Sequence, residues 1–283
     1  MSNTLPRHSA SVTTAALATV ILFGGHSACQ AAPPPPTAQD AGSASRPSQE
    51  IKFAEALVIA SGSRYGRAPL PVDALAAQLV AAQWSAPKEG TELKLPDGSV
   101  RKWEAAKAAQ DGTISHAALR GGYAYVAVPS DKSRPMILEA SGHTMVYVNG
   151  EPRVGDVYQH GYVRLPVQLR SGTNHFLFHG GRGSVRAKLI EPKAVAQLNP
   201  SDVTLPDLVV GERIDTEGAV VVLNASEQPL TNLSLQVTAA QLEDTRTDLP
   251  PIPPWSIHKC GFRLVGPPPR EAGHCDVSLK LVR

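Results

Sequence analysis

Tyr123-Ala124-Tyr125-Val126-Ala127-Val128 sets small or aliphatic side chains at 124, 126 and 128 against tyrosine or alanine at 123, 125 and 127. A period of two belongs to a strand with two different faces, not to a helix. Downstream, Met145-Val146-Tyr147-Val148 runs into Asn149-Gly150. That pair suits a two-residue type I′ hairpin turn, whose two central positions both need positive φ. Val163, Leu165 and Val167 then alternate with Tyr162, Arg164 and Pro166. Turns at Ser171-Gly172-Thr173-Asn174 and Gly180-Gly181-Arg182-Gly183 bound further strands over 175–178 and 185–190, and another runs over 137–140. Short antiparallel strands cannot bury their apolar faces alone, so residues 51–192 are expected to close as two packed sheets.

Outward from this centre the same punctuation continues. The 25 prolines and 23 glycines of the 283-residue chain leave few long helical windows, and the fold class is all-β. One inserted helix is expected over 72–84, where Leu75, Leu79, Val80 and Trp84 recur at helical spacing between Pro71 and Pro87. Residues 53–60 form a first buried strand, and 93–101 a hairpin over Asp97-Gly98 with a type I′ turn. Residues 192–206 link to a second unit, 205–283. Its strands are expected at 208–210, 219–224, 230–239, 255–265 and 275–282, a small immunoglobulin-like sandwich.

The N-terminus has the pattern of a removable export signal over 1–31. Arg7 precedes an uncharged stretch, 12–23, that is shorter than the roughly 20 residues a membrane span needs, and Cys29 and Ala31 suit the −3 and −1 positions of a cut after Ala31. The chain is therefore expected in the periplasm or outside the cell. Cys29 is also a candidate for lipidation, against which the preceding His26-Ser27-Ala28 lacks the usual aliphatic residue. Residues 32–50, with Pro33-Pro34-Pro35-Pro36, read as a Pro/Ser-rich linker.

A formal charge of +2 with no block of five like charges gives no footprint for nucleic acid or an anionic membrane. After the cut, Cys260 and Cys275 form an even pair in an oxidising compartment, the candidates for a disulfide. If their strands pair as a hairpin, however, the sulfurs fall about 13 Å apart, beyond the ~7 Å limit between Cα atoms. Two buried thiols are the alternative.

Catalytic readings find little support. His179-Gly180-Gly181-Arg182-Gly183 is similar to the oxyanion loop of lipases, but the Gly-x-Ser-x-Gly elbow it requires does not occur, and a glycine-rich turn explains the string. His175 and His179 lie about 13 Å apart on one strand, too far to share a metal ion. No transition metal is assigned. Tyr123, Tyr125, Tyr147, Tyr158 and Tyr162, with Trp103 upstream, concentrate in the first sandwich, where tyrosine or tryptophan faces near its loops could stack on a sugar ring while Asn149, Arg153, Asp156 and His160 bond its hydroxyls. Packing of the same rings within the sandwich is the alternative.

The run Met145-Val146-Tyr147-Val148-Asn149-Gly150, with Gly155-Asp156, Gly161-Tyr162, Leu165-Pro166-Val167 and Leu169-Arg170-Ser171-Gly172-Thr173-Asn174, resembles the galactose-binding-like jelly roll, which serves many glycoside hydrolases as a sugar-binding domain. Over 51–283 the chain also resembles the N-terminal, non-catalytic region of large secreted bacterial α/β-hydrolases of the prolyl-oligopeptidase class. The strings carrying this are Arg64-Tyr65-Gly66-Arg67, Ala118-Leu119-Arg120-Gly121-Gly122-Tyr123, Glu139-Ala140-Ser141-Gly142-His143 and Thr204-Leu205-Pro206-Asp207-Leu208-Val209-Val210-Gly211-Glu212. No cofactor is assigned from the residues. A structural Ca²⁺ of the kind such folds hold would find little beyond Asp156. The expectation is an exported, non-catalytic recognition or accessory module for carbohydrate or for a hydrolase domain. The alternative is the front portion of a peptidase or esterase of that class.

Overall fold

The computed structural model describes the backbone of residues 14–21 and the whole of residues 50–61 and 73–283. Cys29, residues 32–49 of the expected 32–50 linker and the Arg64-Tyr65-Gly66-Arg67 string lie outside the described residues, and Glu50 starts the strand Glu50–Lys52. The chain divides into two units, one of Gln49–Pro192 and one of Lys193–Arg283 with the N-terminal segment. Strand β1 (Thr14–Ile21) belongs to the latter and is described with it.

The first unit contains β2 (Glu50–Lys52), β3 (Glu55–Ile59), helix α1 (Ala74–Val80), β4 (Glu92–Lys94), β5 (Val100–Lys102), β6 (Glu104–Lys107), β7 (Thr113–Ser115), β8 (Tyr123–Ser130), β9 (Arg134–Ser141), β10 (His143–Val148), β11 (Glu151–Val154), β12 (Arg164–Leu169), β13 (Gly172–Gly180) and β14 (Ser184–Ile190). One sheet has the order β11-β10-β13-β8-β3-β6. The other runs β12-β9-β14-β2, with β7 also on β14. This is the expected sandwich of antiparallel sheets with one helix. Between them Phe53 packs on Phe176 and Phe178, ring centroids 5.4 and 6.0 Å away. The turn at Asn149-Gly150 has φ of 51° and 88°, so β10 and β11 form the type I′ hairpin its sequence predicts.

The central strands of the six-stranded sheet are buried on both faces. Tyr123, Tyr125, Tyr147 and Leu177 point away from the sandwich core into a second cluster with Leu75 of α1, Leu93 and Leu95 beside the β4–β5 hairpin, and Trp103. Helix and hairpin thus form a lid over the tyrosine face. Helix α1 is shorter than predicted. Asp73 caps it by accepting from Leu75 N and Ala76 N at 2.9 and 3.1 Å, and it stops before Ala82, whose φ is 53°. At Asp97-Gly98 only Gly98 takes positive φ, so the turn is type I with a glycine bulge instead of type I′.

The second unit packs β15 (Ala196–Thr204), β16 (Ile214–Asn224) and β19 (Ile257–Gly266) against β17 (Ser234–Thr238), β18 (Thr245–Asp248) and β20 (His274–Val282). Val220, Val222 and Phe262 meet Leu235, Val277 and Leu279 in its core. Two expectations are corrected. Most of the presumed linker 192–206 is strand β15, which tolerates Pro200 because the register with β16 shifts between Asn199 and Val203, where a ladder N–H is not needed. The strands carrying Cys260 and Cys275 do not pair. They lie in facing sheets, and both cysteines are free and buried in one core, with no disulfide between them. Burial pushes the Cys260 thiol up to about 11 and raises that of Cys275.

Candidate functional site

The loop between β11 and β12, residues 155–163, carries the most exposed aromatic group among the described residues of the first unit. Gly155 begins it pressed on β10: a Cβ there would stand 2.2 Å from the Thr144 carbonyl carbon, so only glycine lets the chain lie so close. Asp156 is buried, and its two carboxylate oxygens accept from His160 N at 3.1 Å and Gly161 N at 2.8 Å. Charge-assisted bonds to backbone N–H groups are the strong kind, and these two tie the loop into one turn. Gln159 and Gly161, with φ of 62° and 73°, complete it.

This turn directs Tyr158, His160 and Tyr162 to one side. Tyr158 and His160 lie with ring centroids 6.0 Å apart and planes 32° apart, and His160 and Tyr162 are stacked at 5.1 Å and 22°. Tyr158 is 71% and Tyr162 46% exposed, and Val154 and Val157 beside them are also exposed. The result is an apolar, ring-faced surface with hydroxyl and imidazole groups at its margins. It can stack on a flat apolar ligand face and bond polar groups around it.

His143 occupies the start of β10, next to Gly142, whose Cβ position lies 3.3 Å from the Gln159 amide nitrogen of the same loop. It is wholly buried, edge-on to Phe178 at 5.5 Å, and neither ring nitrogen has a hydrogen-bond partner among the described residues. Burial lowers its pKa to about 4, opposed by the negative charge of Asp156.

Of the six residues proposed from sequence, the structure brings Asp156, Tyr158 and His160 together, Asp156 as the anchor and the other two as surface. The remaining three have structural roles. Tyr147 lies under the lid of α1 and the β4–β5 hairpin, its hydroxyl pKa raised by burial. Asn149 holds the hairpin tip, accepting from His175 N at 2.8 Å and donating to Asn174 Oδ1 at 3.0 Å. The Arg153 guanidinium donates to Pro166 O at 3.1 Å, and burial lowers its pKa. Tyr162, one of the aromatic residues noted in the sequence but outside those six, joins Tyr158 and His160 at a spacing of i, i+2, i+4.

The other motifs resolve as packing. His179-Gly180-Gly181-Arg182-Gly183 ends β13 and turns into β14 in the facing sheet, with Gly183 at φ 99°. His175 bonds the Tyr125 hydroxyl at 2.7 Å, and His179 bonds the Thr144 hydroxyl. Asn224, in a glycosylation-like Asn-Ala-Ser, is buried with its amide donating to the carbonyls of Gln228, Ile252 and Pro253. Among the described residues no cluster of three His, Cys, Asp or Glu side chains could hold a metal ion, and no helix is long and apolar enough to cross a membrane.

No family model matches the sequence. No curated protein matches it either. Among solved structures the chain is similar to a β-galacturonidase of glycoside hydrolase family 2 from Eisenbergiella tayi, at 13% identity over 83% of this chain and 42% of that one, TM-score 0.30. It is also similar to a family 2 glycosyl hydrolase from Bacteroides cellulosilyticus, at 11% identity over 83% and 34%, TM-score 0.31. A third is the exo-chitosanase CsxA of Amycolatopsis orientalis, at 15% identity over 78% and 29%, TM-score 0.29. The chain thus spans between 29% and 42% of the length of these enzymes. The resemblance to prolyl-oligopeptidase-class hydrolases is corrected here, since these neighbours are glycosyl hydrolases. Two of the strings that suggested it, 118–123 and 139–143, hold positions of close packing. A Cβ on Gly122 would lie 2.2 Å from the carbonyl oxygens of Ala118 and Ile59, and one on Gly142 2.3 Å from that of Ser184.

Proposed function

We propose that this chain is an exported, non-catalytic carbohydrate-recognition module of two β-sandwiches, and that Tyr158, His160 and Tyr162 form its sugar-stacking surface. The observation that carries the reading is the ring triad itself: three neighbouring aromatic side chains held outward by a buried carboxylate that anchors the loop. Aromatic rings left on a surface are a standing cost unless a partner covers them, and sugar rings offer the matching C–H face. In the same reading residues 1–31 are removed on export after Ala31; mass spectrometry of the mature N-terminus tests this, with lipidated Cys29 as the contrary result.

Calorimetric titration against a glycan panel tests the binding. At least one sugar should give saturable heat, and Tyr158→Ala or Tyr162→Ala should weaken that affinity about 10-fold, as expected for one lost stacking contact of about 1.4 kcal/mol. Flat heats with every sugar would remove the carbohydrate reading.

A further inference from the structure

Packing accounts for the glycines of the β13–β14 turn but not for its exposed Arg182, and a second arginine is laid on the same turn. A short 3-10 helix over Ala117–Leu119 ends at Arg120. Its surroundings are fixed against the turn by His116 N donating to Gly183 O at 3.0 Å and Gly180 N donating to Gly122 O at 2.7 Å. A Cβ on Gly183 would stand 3.2 Å from Arg120 Cγ and 3.3 Å from its Nε, so glycine there lets the Arg120 side chain lie across the residue that follows Arg182.

Both arginines are exposed, and neither makes an ion pair or a side-chain hydrogen bond among the described residues. The carboxylates of the surrounding elements are engaged elsewhere. Asp111 accepts from Thr113 N and Oγ1, both at 2.9 Å, and Glu104 faces His116 at 3.6 Å. Glu139 pairs with Arg164 and Lys188, and Asp156 holds its own loop. Two like charges that share a turn repel, and an anion between them turns that cost into charge-assisted hydrogen bonds. Guanidinium forks fit the paired oxygens of a carboxylate or a sulfate.

The arginine turn and the ring loop flank the same end of β10. Gly155, which begins the ring loop, is pressed on the Thr144 backbone, and a Cβ on Gly181 would lie 3.4 Å from the Thr144 methyl carbon. Gly181 N donates to Gly142 O at 3.1 Å. The Cβ position of Gly142 is 2.3 Å from Ser184 O on the turn and 3.3 Å from the amide nitrogen of Gln159, which stands between Tyr158 and His160 in the chain.

We infer that Arg120 and Arg182 extend the ring surface into an anion subsite: the sugar chain taken by this unit carries an acidic group, a carboxylate or a sulfate ester, which the two guanidinium groups clasp while a neighbouring sugar ring lies on Tyr158, His160 and Tyr162. The inference rests on the sugar-binding reading above and names the class of sugar.

The test is calorimetric titration of the full chain with paired tetrasaccharides. Mannuronate, galacturonate and glucuronate chains are each set against their methyl esters, and a sulfated galactan against its desulfated form. At least one acidic chain should bind about 10-fold tighter than its neutral partner, and the margin should shrink as salt rises. The pair that shows it separates carboxylate from sulfate. Arg120→Gln combined with Arg182→Gln should abolish the margin and leave affinity for the neutral partner unchanged, whereas the two lysine substitutions should keep part of it. Tyr158→Ala should weaken both members of a pair alike. Equal binding of every acidic chain and its neutral partner, or a margin that survives in the double glutamine variant, would overturn the anion subsite and leave the sugar reading standing. No heat from any sugar, acidic or neutral, would overturn both.

Discussion

His143 is a buried imidazole with no hydrogen-bond partner among the described residues, and its ionisation links pH to stability. Its pKa is held near 4 in the folded chain against about 6.5 when unfolded. Between those values the unfolded chain binds the proton and the folded chain does not, so acidification favours unfolding. Its contribution should be fully present above pH 6.5 and fall by up to ~3 kcal/mol as pH drops to 4. Urea unfolding of the first unit across this range should show the loss, and His143→Leu should flatten it. An unchanged slope in the variant would mean that another group titrates. At this scale the sequence is hardest to read. Tyr147 and Tyr158 are both tyrosines beside turns, yet one lies under a lid and the other is exposed, and that difference arises from packing across the sheet.

At the scale of elements, the anchored loop 155–163 is the least regular part of the candidate site and the most dependent on one residue. Asp156→Ala removes both acceptors of the turn, and unfolding should register a loss of about 2 kcal/mol together with weaker sugar binding. Equal stability in the variant would show that the loop is held by other contacts. Much of the element pattern was legible beforehand. The alternation in β8 and the Asn149-Gly150 turn are local rules, and both describe the structure. Alternation states that a strand has two faces, but not that both will be covered. The tyrosine face of β8 is buried because α1 and the β4–β5 hairpin fold back over it, a long-range event. Strand β15 was hidden for the opposite reason: Pro200 argues locally against a strand, and only the bulge in its pairing with β16 makes room for it.

For the whole molecule, the two units have separate cores, each with its own reporter. The pH-sensitive imidazole is in the first, and both thiols are in the second, where burial keeps them protonated and out of solvent. A thiol reagent active in acid, such as dithiodipyridine, should leave Cys260 and Cys275 unmodified in the native chain at pH 7 and also at pH 4.5, where the first unit is weakened. Rapid labelling at pH 7 would contradict the buried assignment. The facing-sheet placement of these cysteines was not legible because adjacent strands in sequence were assumed to pair, whereas the chain crosses from one sheet to the other between them.

The claim that joins these scales is that a turn locked by Asp156 presents Tyr158, His160 and Tyr162 to a sugar. It is tested most directly by following the ring proton resonances of the aromatic residues by NMR during titration with a sugar from the panel. The account predicts saturable shifts at Tyr158, His160 and Tyr162, with the rings of Tyr123, Tyr125 and Tyr147 unmoved under their lid. Shifts confined to other rings, or none with any sugar, would contradict it.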